Sequence, residues 1–313
     1  MKRESGFALA GTLLVLALLV VLATELALSA RLEGSMVGAY RDSVLARHLA
    51  EAGVQQAIRE IVSPAQVAAL DETGQVVFHR ALPGQTTSIP LPPLPRVRVA
   101  LGPGEFSYRL SDESARLPIN AAGADRLHRL LTGLGVDREQ RDVVLDSLQD
   151  WRDANELRRL HGAESDFYLQ LPLPYRSRNA DVQDVAELLQ VRGVTPELYA
   201  GVEGRPGLQD LVTAAAVTGV NLNTAPASVL KALGLSDAEI ADVTRTRLRT
   251  PYPSVPERFA GRGLVVGSAV FRVEAEGRVA QSRSSRVVAI VRRGRPGAPL
   301  GATILSWRPV SSP

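Results

Sequence analysis

Residues 7–28 decide the fold, and they read FALAGTLLVLALLVVLATELAL. The only polar side chains in this stretch of 22 residues are those of Thr12, Thr24 and Glu25. A helix of this length can cross a hydrocarbon core of roughly 30 Å. Lys2 and Arg3 stand before it, so the N-terminus is expected to remain cytoplasmic and the rest of the chain to lie across the membrane.

The apolar stretch continues into an amphipathic pattern, and no proline interrupts the chain before Pro64. Apolar residues recur at spacings of three and four, with a gap near Arg47, at Val37, Tyr40, Val44, Ala50, Val54, Ala57 and Ile61. A secretory signal would have a shorter apolar core followed by a small-residue cleavage site. Residues 7–62 are therefore predicted to form one helix, roughly 80 Å long, that spans the membrane once and then packs on a globular head.

The leader, residues 1–6, is short and begins with basic residues. Together with Gly6-Phe7-Ala8-Leu9 it resembles the class III signal of type IV pilins and pseudopilins. The resemblance implies that a prepilin peptidase cuts after Gly6 and methylates the new first residue, Phe7. Glycine suits such a site because it has no Cβ and lets the backbone enter a protease cleft. A plain signal anchor is the alternative interpretation.

One position departs from the usual pilin pattern. Most pilins carry glutamate at the fifth residue after the cleavage site, where this chain has Gly11. A carboxylate in lipid is costly unless a partner neutralises it, and in pilins that partner is thought to be the terminal amine of the preceding subunit. Loss of this glutamate is expected in a subunit at the tip of a filament, because no preceding subunit is there to supply the amine. Glu25 lies near the far end of the span, where it can reach water or Arg31, and is interpreted as structural.

Beyond the helix the chain changes character twice. Strand-like composition is found in residues 63–118 and again in 261–313, whereas residues 119–260 have helical spacing. These blocks predict an α+β protein, a pilin-like fold in which the long helix packs on an antiparallel sheet and a mainly helical insertion interrupts the sheet region. The predicted strands are 75–78, 97–101, 106–110, 269–276, 285–291 and 303–309, and the predicted helices are 124–134, 138–152, 182–190 and 227–233.

The helical block contains an internal repeat. Residues 119–127 (INAAGADRL) match residues 222–230 (LNTAPASVL), and each copy is followed by Leu-Gly and a polar helix cap, Asp137 or Ser236. Helix, glycine turn, helix is also the outline of a nucleic-acid-binding module. DNA binding needs basic side chains near such turns, and both turns carry acids instead, so a membrane-anchored nucleic-acid binder is the less favoured alternative.

Five further stretches sharpen the resemblance. They are LQDWRD (148–153), GAESDFY (162–168), ELLQVRG (187–193), TPELY (195–199) and VNLNTAP (220–226). Taken together, these stretches make the chain similar to the K-type minor pseudopilins of type II secretion systems. The alternative is a minor pilin of a type IV pilus.

The resemblance implies a non-enzymatic subunit at the tip of a pseudopilus that exports proteins. It places the anchor in the inner membrane and the C-terminal domain in the periplasm. The implied partners are the I-, J- and H-type minor pseudopilins, the major pseudopilin, the prepilin peptidase, the inner-membrane assembly platform and membrane lipid, without nucleic acid.

An acidic cluster is the candidate metal site. Its oxygen donors belong to Asp150, Asp153, Asn155, Glu156, Glu164 and Asp166. Ca²⁺ takes six to eight oxygen ligands at about 2.4 Å, and Gly162 would permit a sharp bend of the loop. The resemblance implies bound Ca²⁺ in this region. The alternative is a solvated loop whose acids pair with Arg152, Arg158 and Arg159.

Composition excludes several other classes of function. Cysteine is absent from the 313 residues, so the chain has no disulfide, thiol nucleophile or thiolate metal site. The net charge of +3 is too small to indicate a nucleic-acid partner by itself. The four histidines show no metal-binding spacing, and no phosphate-binding glycine motif is present. The sequence therefore predicts a protein that is not an enzyme.

Overall fold

The computed structural model describes residues 4–63, 67–81, 88–279, 283–294 and 301–310. The helices are α1 (Glu4–Ile61), α2 (Ala124–Gly133), α3 (Arg138–Arg152), α4 (Ser165–Tyr168), α5 (Pro196–Ala200), α6 (Leu208–Leu211), α7 (Ala227–Ala232) and α8 (Asp237–Arg249). The strands are β1 (Val67–Leu70), β2 (Val76–Ala81), β3 (Ser88–Pro90), β4 (Val99–Leu101), β5 (Gly104–Asp112), β6 (Leu117–Pro118), β7 (Gly201–Val202), β8 (Arg205–Pro206), β9 (Val212–Thr213), β10 (Val220–Asn221), β11 (Leu264–Val265), β12 (Val270–Val279), β13 (Arg283–Arg293) and β14 (Ala302–Val310).

The long N-terminal helix is continuous, which confirms the helix predicted for residues 7–62. Its 58 residues correspond to a length of roughly 87 Å. The segment from Leu9 to Ile61 is long and apolar enough to cross a membrane, and its most apolar window is not buried inside the protein. Only the second half of α1 packs on the head, through the buried side chains of Ala46, Ala50, Val54, Ala57 and Ile61.

The sheet under α1 is antiparallel and runs in the order β14-β13-β12-β5-β4 within the described ranges. Central β12 pairs with β5 on one side and β13 on the other, so that Ala275 lies opposite both Tyr108 and Val287. Strands β1, β2 and β3 form a separate small sheet. The strands predicted near residues 106–110, 269–276, 285–291 and 303–309 are confirmed, and those near 75–78 and 97–101 are present with shifted bounds.

Two glycines let the helix and the sheet approach closely. A Cβ on Gly277 of β12 would overlap the backbone of Ala46 and Ala50 in α1. From the helix side, Gly53 faces Ala275 and Phe106 at distances that leave little room for a side chain. Small residues on both faces therefore set the distance between helix and sheet, because a packed interior cannot absorb an added methyl without strain.

The insertion leaves the sheet after β5 and returns to it at β12, which are hydrogen-bonded neighbours. Its buried residues, from Leu117 to Phe259, form one apolar cluster, and the residues between α1 and the sheet form another. The α+β fold class, with a long helix on an antiparallel sheet and added helices, is confirmed. The division of the chain at residues 118/119 and 260/261 stays a prediction.

The internal repeat is explained by two asparagines that play the same structural role. The Asn120 side chain both donates to the carbonyl of Val182 and accepts from its N–H, at 2.9 Å each. Asn223 does the same to Tyr252, at 3.0 and 2.8 Å. Each asparagine thus satisfies both backbone groups of a distant residue. The two helix–glycine–helix units meet where α2 packs against α7.

The helix predicted for residues 182–190 is shorter than expected. Since both backbone groups of Val182 are bonded to Asn120, that residue cannot start a helix. A single 3₁₀ segment follows, from Val185 to Gln190, and Asp184 and Glu187 close its first turn as a capping box. The other predicted helices and the caps Asp137 and Ser236 are confirmed, and Thr195 caps α5 in the same way.

The junction between sheet and insertion is a buried polar cluster around Asp112, the last residue of β5. Its carboxylate accepts hydrogen bonds from Ser268 Oγ at 2.5 Å, Thr224 Oγ1 at 2.6 Å and Asn221 Nδ2 at 2.9 Å, and from the Ser114 backbone N–H at 2.8 Å. Burial raises the pKa of Asp112, and the three side-chain donors oppose that shift because they stabilise the carboxylate. The cluster ties both ends of the insertion to one point.

The close contact between α1 and β12 gives the first testable prediction. Gly277→Ala should lower the free energy of unfolding by about 3 kcal/mol, since its methyl group would overlap helix backbone that cannot move aside. Chemical denaturation of the full chain in detergent, followed by circular dichroism, measures the effect. Gly133→Ala is the matched control, because nothing lies within reach of a Cβ there. Equal stability of the two variants would contradict the packing described for α1.

Candidate functional site

The acidic loop that follows α3 (residues 153–164) starts from a fully buried carboxylate. Asp150 lies in the last turn of α3 and has no exposed surface. Gly162 packs directly against it, and a Cβ on Gly162 would overlap the Asp150 carboxylate. The glycine is therefore required by the close approach of the loop to this acid, in addition to any role in bending the chain.

Arg159 bridges two of the predicted ligands. Its Nη1 lies 2.6 Å from Asp150 Oδ1 and 2.6 Å from Asp153 Oδ2, and its backbone N–H lies 3.1 Å from Asp150 Oδ2. Hydrogen bonds with Asp153 and then Asp150 raise the pKa of Arg159 above its ordinary value. The guanidinium therefore stays charged and neutralises part of the buried negative charge.

A second group of polar side chains lies around Glu156. Its carboxylate accepts hydrogen bonds from Ser165 Oγ at 3.0 Å, from the Ser165 N–H at 3.2 Å and from Asn179 Nδ2 at 3.0 Å. The Ser165 hydroxyl also contacts the Ser177 hydroxyl at 2.8 Å. This network holds the loop, the start of α4 and the segment near residue 179 together.

Glu164 is the unusual member of the site. It is 1% exposed, and neither carboxylate oxygen has a hydrogen-bond partner among the described residues. Burial raises the pKa of Glu164 to about 7, and the nearby charges of Asp150, Glu156 and Asp153 act in the same direction. The nearby Ser177 hydroxyl opposes this shift only in part, since it does not reach hydrogen-bond geometry with the carboxylate. A buried carboxylate in this condition is a strong indication of a missing cationic or protic partner.

The floor of the site is aromatic. Tyr168 is fully buried, and its ring centroid lies 5.3 Å from that of Trp151 and 5.1 Å from that of Tyr175. Such a layer keeps water from the inner side of the carboxylates, so that charge interactions in the site are stronger than at an open surface.

The predicted ligands are brought together only in part. Asp150 and Asp153 meet at Arg159, and Glu156 and Glu164 are adjacent through Ser165. Asn155 orients Asp153, because its Nδ2 donates to that carboxylate at 2.7 Å. Its Oδ1 accepts a hydrogen bond from the Leu157 N–H. Asp166 faces outward, with 64% of its side chain exposed and Arg158 at 3.9 Å.

Asn179 was not predicted from the sequence, although it belongs to the site. Its Oδ1 is buried and has no partner in the described part of the chain, as for Glu164. Its φ of +49° is in the left-handed region, which few residues other than glycine and asparagine adopt. The polar run of residues 176–181 was the available signal, but nothing in the sequence connects it to residues 26 positions earlier.

Within the described ranges, no three acidic or histidine side chains are arranged to hold a metal ion together as they stand. The donors themselves nevertheless fit a hard cation. Glu164 and Asn179 offer buried oxygens without partners, and Asp150 and Asp153 offer carboxylates that already share a positive charge. An all-oxygen set of this kind is what Ca²⁺ prefers in proteins.

The glycine turns of the two repeats do not form a phosphate site. Gly135 and Gly234 have φ values of +80° and +85°, as such turns require. Asp137 and Glu139 follow the first turn, and Asp237 and Glu239 follow the second, where Glu239 is held by both Ser236 and Arg262. Carboxylates at this position repel a phosphate backbone, which argues against the nucleic-acid alternative.

The predicted processing site, Gly6 and Phe7, lies within the backbone bounds of α1, but its side chains fall outside the described residues. Cleavage after Gly6 stays a prediction.

A long apolar helix on an antiparallel sheet, with a helical insertion between neighbouring strands, defines a pilin-like protein with an elaborated head. Residues 108–204 match the family model described as "Type II secretion system (T2SS), protein K". Over 144 residues the chain is 28% identical to the type II secretion system protein K of Pectobacterium carotovorum subsp. carotovorum, covering 41% of this chain and 44% of the relative. Over 222 residues it is 26% identical to the protein K of Pseudomonas aeruginosa, covering 62% of each.

The chain therefore aligns with less than two thirds of the length of these curated relatives. A solved structure agrees over a longer range. A chain of the GspK-GspI-GspJ complex of the type 2 secretion system of enterotoxigenic Escherichia coli superposes with a TM-score of 0.59 at 17% identity. That match covers 90% of this chain and 100% of the other. The resemblance to the K-type minor pseudopilins of type II secretion systems is confirmed by these comparisons.

The unpartnered Glu164 gives the second prediction. Its folded-state pKa of about 7 lies above the ordinary value of 4.5, so the folded protein binds this proton more tightly than the unfolded chain. The resulting stability is present below about pH 4.5 and is lost as the pH rises through about 7. In a chelator at pH 8, Glu164→Gln should therefore raise the melting temperature by about 3 °C, and the gain should vanish near pH 4.5.

Asp166→Asn is the control for this measurement, because Asp166 is exposed and lies at the edge of the site. Melting curves of the full chain in detergent between pH 4.5 and 8 give the comparison. If Glu164→Gln and Asp166→Asn shifted the curve equally at every pH, Glu164 would not be a strained buried carboxylate.

Proposed function

We propose that this chain is a minor pseudopilin that forms or caps the tip of a type II secretion pseudopilus and helps to initiate its assembly. The observation that carries the proposal is the shared fold, which extends over 90% of this chain. The solved relative was crystallised in a GspK-GspI-GspJ complex. The I- and J-type minor pseudopilins are accordingly the partners that we expect first.

Gly11 supports a position at the tip. A carboxylate at this depth of the membrane would need a cationic neighbour on a preceding subunit. With glycine in its place, the anchor needs no such neighbour and can lead the filament. Gly11 also lets neighbouring helices approach closely in lipid, where packing rather than the hydrophobic effect holds helices together.

The part of α1 between the apolar span and the head presents an exposed apolar stripe. It consists of Leu32, Met36, Val37, Tyr40 and Val44. Tyr40 is 74% exposed and Val37 is 68% exposed, although both lie beyond the apolar stretch 7–28. Apolar surface of this extent on a water-exposed helix indicates a protein contact. We propose that the helices of the neighbouring minor pseudopilins cover it.

The proposal places the anchor in the inner membrane, with the N-terminus cytoplasmic and the head periplasmic. The prepilin peptidase would remove residues 1–6 and methylate Phe7. The H-type minor pseudopilin, the major pseudopilin and the assembly platform are further expected partners, and membrane lipid surrounds the anchor.

We further propose that the acidic loop holds Ca²⁺ through Glu164, Asn179, Asp153 and Asp150. A bound cation would supply positive charge to the buried carboxylates and connect α3, the loop and the segment around Asn179. Its role would be to make the head rigid. Oxygen donors without partners in a buried site support this proposal.

The apolar stripe gives the third prediction. Tyr40→Arg should reduce co-purification with I- and J-type minor pseudopilins by about tenfold or more, because a charge would lie in an apolar helix contact. Quantitative pull-down of the full chain with the co-expressed partners measures this. Ser35→Arg introduces the same charge at an exposed position on the other face of α1 and should leave recovery unchanged. Equal recovery with both variants would place the contact elsewhere, and recovery of type IV pilus subunits instead would favour that system.

The processing site gives the fourth prediction. Co-expression with a prepilin peptidase should remove the mass of residues 1–6 from the chain and add that of one methyl group at Phe7. Gly6→Val should block both changes, since its branched side chain prevents entry of the backbone into the protease cleft. Intact-mass spectrometry distinguishes the products, with Ser5→Ala as a control that should be processed normally. An unshortened wild-type chain would contradict the prepilin assignment.

A further inference from the structure

The acidic loop already contains a positive charge of its own. We propose that Arg159 is the resident counter-ion of this loop, and that a divalent cation binds there only by displacing the Arg159 guanidinium from Asp150 and Asp153. The inference rests on the proposed Ca²⁺ site and adds to it a residue of this chain that competes with the metal and couples its binding to movement of the loop.

The geometry of Arg159 is that of a bound cation. One nitrogen, Nη1, lies 2.6 Å from a carboxylate oxygen of Asp150 and 2.6 Å from one of Asp153. Asp150 has no exposed surface, whereas the Arg159 side chain is 37% exposed and enters from the solvent side. A guanidinium and a divalent cation cannot both occupy the space between these two carboxylates, because their charges repel at contact distance.

The other arginines near the loop are engaged elsewhere. Arg152 donates to the carbonyl of Ile119, Arg192 donates to the carbonyl of Gly162 and lies over the Phe167 ring, and Arg158 faces Asp166. These contacts do not involve the inner carboxylates.

The charges in the loop do not balance. Asp150 and Asp153 both contact Arg159, and Glu156 accepts a hydrogen bond from Ser165, the residue after the buried Glu164. The positive charge of Arg159 compensates Asp150 and Asp153, which it contacts. It leaves both Glu164 oxygens without a partner among the described residues. A divalent cation between the two aspartates would bring twice the charge of Arg159 to this group of acids. Its net gain is reduced by the contacts of Arg159 that it replaces.

The segment that carries Arg159 has little to hold it in place. Leu157 is 79% exposed and Leu160 is 88% exposed, so neither leucine contributes to a core. The contacts that connect this segment to α3 include those of Arg159 and the hydrogen bond from the His161 N–H to Asp146 at 3.0 Å. A segment with few buried contacts opens at low cost. Loss of the Arg159 contacts would therefore free residues 157–160, together with their two exposed leucines.

Calcium titration of the full chain in detergent, by isothermal calorimetry after removal of divalent ions, tests the inference. Arg159→Gln removes the competing charge and should bind Ca²⁺ at least about tenfold more tightly than the wild type. Arg158→Gln removes the same charge from the neighbouring residue, whose nearest acid is the outward-facing Asp166, and should bind like the wild type.

Equal affinity of the two variants would overturn the displacement and leave the Ca²⁺ site standing. Absence of binding by the wild type and both variants would overturn the Ca²⁺ site and the displacement together.

A second measurement does not depend on any variant folding. Phenylglyoxal modifies accessible guanidinium groups, and peptide mass spectrometry of the labelled wild-type chain reports each arginine separately. Calcium should increase labelling of Arg159 several-fold and leave Arg158 unchanged. Unchanged or reduced labelling of Arg159 at a calcium concentration that saturates the titration would show that the guanidinium stays in place, and would overturn the inference.

Discussion

Asp112 is a carboxylate with almost no access to water, and four hydrogen-bond donors surround it. The donors come from the segment that leaves the sheet, from the interior of the insertion and from Ser268, where the chain is about to return to β12. Asn221 extends the same cluster to the small sheet through the carbonyl of Ala68. A buried charge is tolerable only when it is fully hydrogen-bonded, so the orientation of the insertion relative to the sheet is fixed by the need to satisfy one side chain.

The acidic loop shows the opposite condition in the same molecule. Asp150 and Glu164 are both buried there, but of these two Arg159 donates only to Asp150, and Glu164 has no hydrogen-bond donor among the described residues. Because the insertion is held firmly by its apolar core and by the junction at Asp112, the strain in the loop cannot be relieved by a shift of the whole domain. It is confined to residues 150–164 and the segment near Asn179. The cluster around Asp112, in which both carboxylate oxygens are hydrogen-bonded, thus holds the insertion on the sheet. The acidic loop, in which Glu164 lacks a partner among the described residues, is the candidate site.

The sequence predicted best those elements that depend on local chemistry. Helix α3 was predicted with both ends correct because its apolar spacing is regular and Asp137 caps its first turn. The long strands of the sheet could be predicted because apolar and polar residues alternate along them. Val182 and Asn179 were missed because their conformations depend on contacts with Asn120 and Glu156, 62 and 23 residues away. The acids of the site could be grouped from their spacing, but the burial of Glu164, the outward direction of Asp166 and the position of Arg159 between two carboxylates are tertiary facts that spacing does not contain.

Helix α1 has a mechanical consequence. From Glu4 to Ile61 it runs as one helix without a proline, and its second half is seated on the central strands of the sheet through glycine and alanine contacts. No proline interrupts the helix, and the close contacts of its second half with the sheet oppose slipping against the head. While the helix stays straight, a force applied along its axis at the membrane end is transmitted to the sheet, so that the anchor and the head move together.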